Sequence, residues 1–290
     1  MIWLALVYTQ SAFAYTSKCR HTGRTGFEAG AGERWKRMDL GLAGRKAIVT
    51  GATRGIGRRI AEILADEGCS VGICARGEDG VRETVAALSG RGVKATGAAL
   101  NVRNAPAYKA WLQSACEELG GLDILVANIS AGGGMDSERN WYRNFEIDLM
   151  STVRGVEVTL PFLKQSSAAS ILVIGTMAAA ETFSGPMAYN AIKAALITYA
   201  QQLSQELMKV GIRVNCLSPG PTLFDGSAWE MVQIANKKFY SGVIRQQPAR
   251  RMAVVDEIAR PAVFLASPAA SWVSGGHLLV DGGYSKRVQF

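Results

Sequence analysis

Tyr189 and Lys193 stand four residues apart in Tyr189-Asn190-Ala191-Ile192-Lys193, ahead of a long helical run. A helix stacks residues at that spacing on one face, within about 6 Å of each other. An ammonium held beside a phenol favours the phenolate. A phenol tuned in this way can give or take a proton at a substrate oxygen. The same spacing also arises by chance, so its meaning depends on the elements that position the pair.

The second stretch with chemical content is Thr50-Gly51-Ala52-Thr53-Arg54-Gly55-Ile56-Gly57. An apolar strand, Lys46 to Thr50, runs into it, and a helical run to Glu67 follows. Strand, glycine turn and helix in that order form a diphosphate site: the glycines admit a close ligand, and the helix N-terminus offers free N–H groups and partial positive charge. A purely structural turn is the plain alternative, and the flanking strand and amphipathic helix argue against it. The next strand, Ser70 to Ala75, ends at Arg76, where many NAD-binding chains place an acid for the ribose hydroxyls. Arg76 and Arg54 together suit a 2′-phosphate, with hydrogen bonds to charged groups worth roughly 1.5–3 kcal/mol each. The expectation is NADP(H) in preference to NAD(H), with NAD(H) as the alternative if one arginine is merely solvated.

Composition narrows the field. The 290 residues are 48% hydrophobic and 19% charged, a globular balance with no broad disorder. Net charge is +8, and residues 1–37 hold six Lys/Arg against two Glu. The rest of the surplus is spread thinly, with no basic block, so a nucleic-acid partner is not expected. Five cysteines (Cys19, Cys69, Cys74, Cys116, Cys216) are odd in number and lack CxxC spacing, which reads as buried thiols. With only His21 and His277, neither a His-ligated metal site nor a Ser-His-Asp triad is expected. His277 reads as an ordinary packed histidine in the final strand.

Residues 1–37 differ from everything after them. Ile2 to Tyr8 is apolar but too short to span a bilayer. Ala12-Phe13-Ala14 resembles a cleavage site without a basic segment before it, and residues 1–27 carry no acid. An extension or upstream start before Met38, a targeting segment and a weak membrane contact all remain open, and stable membrane insertion is not expected. The folded domain is read as 38–290 and its location as cytoplasmic. Strands are expected at Val93–Ala99, Leu122–Asn128, Ser170–Ile174, Gly211–Leu217 and His277–Val280. Helices are expected at Ala105–Leu119, Tyr142–Leu163 and near Asp256–Ala266. A glycine-rich mobile loop is expected at 130–134, and a lid at Leu223–Gly242. Repeated strand–helix units predict an α/β fold: one doubly wound parallel sheet with helices on both faces.

With these pieces in place, residues 40–284 resemble the short-chain dehydrogenase/reductase family. TGATRGIG matches its TGxxxGxG, YNAIK its YxxxK, NCLSPGP its Asn-x-x-x-Pro-Gly, and VDGG its closing strand end. The resemblance implies hydride transfer between a nicotinamide and a carbonyl or secondary alcohol carbon. Tyr189 would be the acid/base, and Lys193 its activator and a ribose ligand. The family serine, thirteen residues before Tyr189, falls on Thr176, which keeps the hydroxyl and adds a methyl. The family's catalytic Asn falls on Asp148, whose carboxylate could pair with Lys193 and offset its effect on Tyr189. The family's NNAG becomes Ala127-Asn128-Ile129-Ser130. Cofactor contacts are implied at Gly51, Thr53, Arg54, Gly55, Ile56 and Gly57, and at Arg76. Asn101 and Val102 would lie toward the adenine, with Asn128 and Ser130 beside the glycine turn and Pro219, Gly220 and Thr222 after the sixth strand.

The substrate is less constrained. A reductase of 3-oxoacyl chains on an acidic carrier protein needs a basic patch at the mouth, and Arg154 and Lys209 make a thin one. A small or medium carbonyl compound fits as well. Phe224, Trp229, Met231, Phe239 and Tyr240 in the lid favour an apolar one. The resemblance also implies a homo-oligomer, dimer or tetramer. The alternative function is a non-catalytic nucleotide-binding sensor or scaffold.

Overall fold

Short runs of small and β-branched residues build the centre of the molecule. The computed structural model describes residues 38–133, 137–286 and 288. The extension at 1–37, with Cys19 and His21, lies outside them, as do residues 134–136 of the glycine-rich loop. Lys46–Thr50 (β1), Ser70–Ala75 (β2), Ala95–Ala99 (β3), Ile124–Ala127 (β4), Ser170–Ile174 (β5), Arg213–Pro219 (β6) and His277–Val280 (β7) form one seven-stranded sheet. Every pairing is parallel, in the order β3-β2-β1-β4-β5-β6-β7. The inner strands are buried on both faces, so they read as continuous apolar runs.

Alternation along each strand assigns the two faces. Val49, Ile73, Val126 and Leu172 pack with helices Gly55–Asp66 (α1), Glu78–Ser89 (α2) and Val255–Ala266 (α9). Ile48, Cys74, Leu125, Ile171 and Val173 face Ala105–Leu119 (α3), Ser151–Leu163 (α5) and Ala188–Leu207 (α6). In α1 the apolar stripe Ile60, Ala61 and Leu64 turns inward. Its outer face is laced by Arg58–Glu62 and Arg59–Glu62 ion pairs. The doubly wound α/β fold expected from the sequence is the one observed.

Several boundaries move, for local reasons. Gly211 has φ +80, which no strand accepts, so β6 starts at Arg213 and continues into Pro219 through its pairing with Val280. The strand expected at Leu122–Asn128 shortens to β4, because Asn128 turns its side chain onto the neighbouring strand end. The strand expected from Val93 starts at Ala95. Helix α2 carries no strong signal and is not foreseen.

The single helix expected at Tyr142–Leu163 is in fact composite. Glu138–Asn144 (α4) leads into a π-helical segment, Phe145–Met150, before α5. The lid is two helices, Ala228–Ala235 (α7) and Lys237–Gln246 (α8). Its base is pinned where Thr222 and Ala253 form an isolated parallel bridge, with Leu223 N–H bonded to Ala253 O and Ala253 N–H to Pro221 O, both at 2.9 Å. No helix among the described residues is long and apolar enough to cross a membrane.

Candidate active site

The strand order reverses between β1 and β4, and open parallel sheets receive ligands at such a crevice. The glycine turn after β1 lies there. Gly51 and Gly55 adopt φ +68 and +57, which side chains rarely accept. A Cβ on Gly57 would fall 2.2 Å from Asn128 Nδ2 and 2.5 Å from Gly51 O. That contact has a purpose. Asn128 Nδ2 donates to Thr50 O (3.0 Å) and Gly51 O (2.9 Å), and its backbone N–H donates to Thr50 Oγ1. One amide thus ties the end of β4 to the turn after β1. Ile129, at the position of the family's alanine, packs its Cγ1 against Gly51.

No side chain caps the N-terminus of α1, and no acid lies in its first turn. Its positive end therefore faces the crevice without a countercharge, which suits a diphosphate. The residues present fit a dinucleotide.

The π-helical segment carries Asp148 into the interior behind Lys193. Lys193 is 2% exposed and Asp148 0%. Lys193 Nζ donates to Ile174 O at 2.9 Å, and Asp148 Oδ1 faces it at 3.2 Å without hydrogen-bond alignment. Asp148 Oδ2 accepts from Ala131 N–H at 2.9 Å. The pairing raised by the sequence is therefore present, and the same carboxylate anchors the loop after β4. Thr176 follows β5 and is buried, and its Oγ1 accepts from Ala178 N–H at 3.3 Å. That leaves its own O–H free to donate.

Tyr189, Lys193 and Thr176 line a cleft of about 490 Å³ together with Gly51, Arg54, Ile56, Gly57, Asn128, Ser130, Pro219, Gly220 and Thr222. Other expected residues lie elsewhere. Asp148 sits behind Lys193, and Thr53 borders Gly80 of α2. Gly55 is covered by the Phe224 ring. Arg76 is exposed at the end of β2. Asn101 accepts from Arg103 N–H in a local turn, and Val102 is a core side chain. Arg54 is engaged too: its Nη1 donates to Gly226 O at 2.9 Å, tying the glycine turn to the lid.

The outer walls are apolar. Phe224, Trp229 and Phe239 line the cleft as the lid composition implied, whereas Met231 is 68% exposed and Tyr240 packs beneath the lid. Phe183, Met187 and Val232 line it as well and carry no sequence signal beyond their apolar character. Trp229 stacks on Phe239 at 6.1 Å, and Phe183 meets Trp229 edge-on. Asn190 Nδ2 holds Phe183 O at 3.0 Å and fixes the segment that presents Phe183.

The cysteines offer no competing chemistry among the described residues. Burial pushes the thiols of Cys69, Cys74 and Cys116 up to about 12 and that of Cys216 to about 11, so the nucleophilic thiolate is not formed near neutrality. Cys69, Cys74, Cys116 and Cys216 are free and buried as expected. His277 bonds Ser218 Oγ at 2.7 Å. Among the described residues, no group of three or more His, Cys, Asp or Glu is placed to hold a metal ion. The thin basic patch is thinner still in three dimensions. Arg154 pairs with Glu146 at 3.1 Å and Lys209 with Glu206 at 2.7 Å.

A family profile described as "Enoyl-(Acyl carrier protein) reductase" matches residues 51–285. The chain is 37% identical over 259 residues to isoepoxydon dehydrogenase of Penicillium expansum, covering 87% of this chain and 99% of that one. It is 34% identical over 254 residues to dehydrogenase/reductase SDR family member 4 of Oryctolagus cuniculus, covering 85% and 96%. Among solved structures it superimposes on L-sorbose reductase of Gluconobacter frateurii, complexed with NADPH and L-sorbose, with a TM-score of 0.80 at 30% identity, covering 87% and 100%.

Proposed function

Since the chain belongs to the short-chain dehydrogenase/reductase family, NAD(P)-dependent oxidoreductases acting on CH–OH and C=O groups, we propose that it reduces a small or medium carbonyl compound with an apolar body, using NADP(H), or oxidises the matching alcohol. The observation that carries this reading is the convergence of Tyr189, Thr176 and Lys193 on a cleft that also contains the glycine turn. When bound, the nicotinamide supplies or accepts the hydride. In reduction, Tyr189 donates a proton to the substrate oxygen while the free Thr176 O–H holds that oxygen by a hydrogen bond. Lys193 keeps a positive charge beside the developing phenolate, and Ile174 O and Asp148 fix its ammonium. Phe183, Trp229, Phe224 and Phe239 exclude water and support the apolar body of the substrate.

Support for NADP(H) comes from an exposed Arg76 at the end of β2, where an acid would favour ribose hydroxyls, and from the NADPH-bound L-sorbose reductase. The test is transfer of deuterium from C4-deuterated NADPH to the carbinol carbon of a cyclic or aryl ketone. Recovery of unlabelled alcohol, or no turnover across a ketone panel, would reject the reading. In the same assay Arg76→Asp is expected to shift the NADPH/NADH ratio of kcat/KM toward NADH by about tenfold or more. Equal use of both cofactors by the unaltered enzyme would contradict the preference.

Asp148→Asn keeps an acceptor for Ala131 N–H and removes a negative charge beside Lys193. The uncompensated ammonium then favours the anionic form of its neighbours. The pH–rate profile for alcohol oxidation is therefore expected to move toward lower pH. A profile that stays in place would show that Asp148 does no more than anchor the loop.

A further inference from the structure

A second cleft, of about 500 Å³, lies back to back with the first and shares Phe183, Ser184 and Phe239 with it. The partition is aromatic: Phe183 and Phe239 stand 6.5 Å apart, and Tyr284 meets Phe183 edge-on from the far side. Beyond it the lining changes character. Lys238 and Arg245, seven residues apart on α8, line the cavity alongside Asn236 and Gln246.

Neither cation has a carboxylate partner among the described residues, whereas Lys209, Arg154 and Arg251 each hold one. Arg250 adds a third charge nearby, its Nη1 donating to Arg245 O at 2.6 Å. The polar neighbours are already committed. Gln246 Oε1 accepts from Tyr284 O–H at 2.8 Å, Asn236 Oδ1 caps α8 through Phe239 N–H, and Glu181, beside Tyr284, accepts from Lys286 N–H. A concave wall with two uncommitted cations and no lining acid concentrates anions.

We propose that this cleft is the subsite for an anionic group, carboxylate or phosphate, carried by the substrate at the end remote from its reacting carbonyl. The proposal rests on the reading that the aromatic-walled cleft holds the carbonyl. It narrows the substrate to a ketone or aldehyde whose apolar middle runs over the boundary of Phe183, Ser184 and Phe239 that the two clefts share. Both side chains are exposed, so removing their charge leaves the fold intact.

The test compares a graded series of methyl ketones ending in a carboxylate with their methyl esters and with phosphate monoesters of matching length. The expected result is that at one chain length an anionic ketone has a KM about tenfold or more below its ester. Lys238→Gln/Arg245→Gln should then abolish that gap while leaving kcat and KM for the ester unchanged. The better of carboxylate and phosphate identifies the group. Equal use of acids and esters, or a gap that survives in the double variant, overturns the subsite while leaving the carbonyl reading in place. If no ketone turns over, that reading fails on its own, and titration calorimetry with phenyl phosphate at saturating cofactor decides the subsite. Heat lost in the double variant supports it, whereas equal heat in both proteins, or none in either, overturns it.

Discussion

Lys193→Met is expected to cost about 3–5 kcal/mol of folding stability and to abolish measurable turnover. Methionine fills a similar space, so the loss is one of charge rather than volume. Asp148, with no exposed surface, would be left as an unpaired carboxylate in the interior. The double variant Lys193→Met/Asp148→Asn separates the two effects. An asparagine can still accept from Ala131 N–H, as Asp148 Oδ2 does now. The double variant should therefore regain most of the lost stability and none of the activity. Denaturant unfolding beside an NADPH-linked assay reads both. A single variant of unaltered stability would mean that Asp148 is not held as an anion by Lys193.

Tyr189→Phe should lower kcat by about 10²–10⁴-fold, the range that one positioned acid/base supplies. The substitution deletes a single oxygen and keeps the ring that lines the cleft, so NADPH affinity and unfolding midpoint should stay at their unaltered values. A loss confined to KM would instead make Tyr189 a binding residue. A variant as active as the unaltered enzyme would remove the tyrosine from the chemistry and leave Thr176 as the hydroxyl to examine.

How much of this the amino-acid sequence discloses differs from element to element. The limits of β1, β2, β5 and β7 are legible to the residue, because these parallel strands, buried in β1, β2 and β5 and partly exposed in β7, are short apolar runs closed by turn residues. The Tyr189–Lys193 pair is legible because helical spacing places both groups on one face. The depth of Lys193 is not, since a lysine is ordinarily an exposed residue and only the Ile174 carbonyl and Asp148 make its burial tolerable. The π-helical turn at Phe145–Met150 is hidden as well: the residues that favour one helical hydrogen-bond spacing favour the other, and the choice is made by packing. Helix α2 escapes notice for a different reason. It covers the outer strands, where Val81, Thr84 and Leu88 are its only buried residues. Arg54 illustrates a third limit. Its place in the glycine turn is plain in the sequence, but its hydrogen bond to Gly226 joins residues far apart in the chain.

The bridge between Thr222 and Ala253 has an implication for how such a protein can change over generations. Phe224, Trp229, Val232 and Phe239, with Lys238 and Arg245, all lie between those two residues. The two ends of the excursion meet at that bridge, and further ties run from Arg54 to Gly226, from Gln247 to Asp281 and from Tyr284 to Gln246. Because loop-closure entropy rises only slowly with length, a segment of another length can close between the same two anchors, provided that it replaces the buried Val243 and Met252 and the Gln247–Asp281 hydrogen bond. Tyr189, Lys193 and the glycine turn lie outside that interval. The residues proposed for hydride transfer and most of the aromatic wall thus lie on separate stretches of chain, and exchange of the segment between Thr222 and Ala253 would change substrate preference while leaving the proposed chemistry in place.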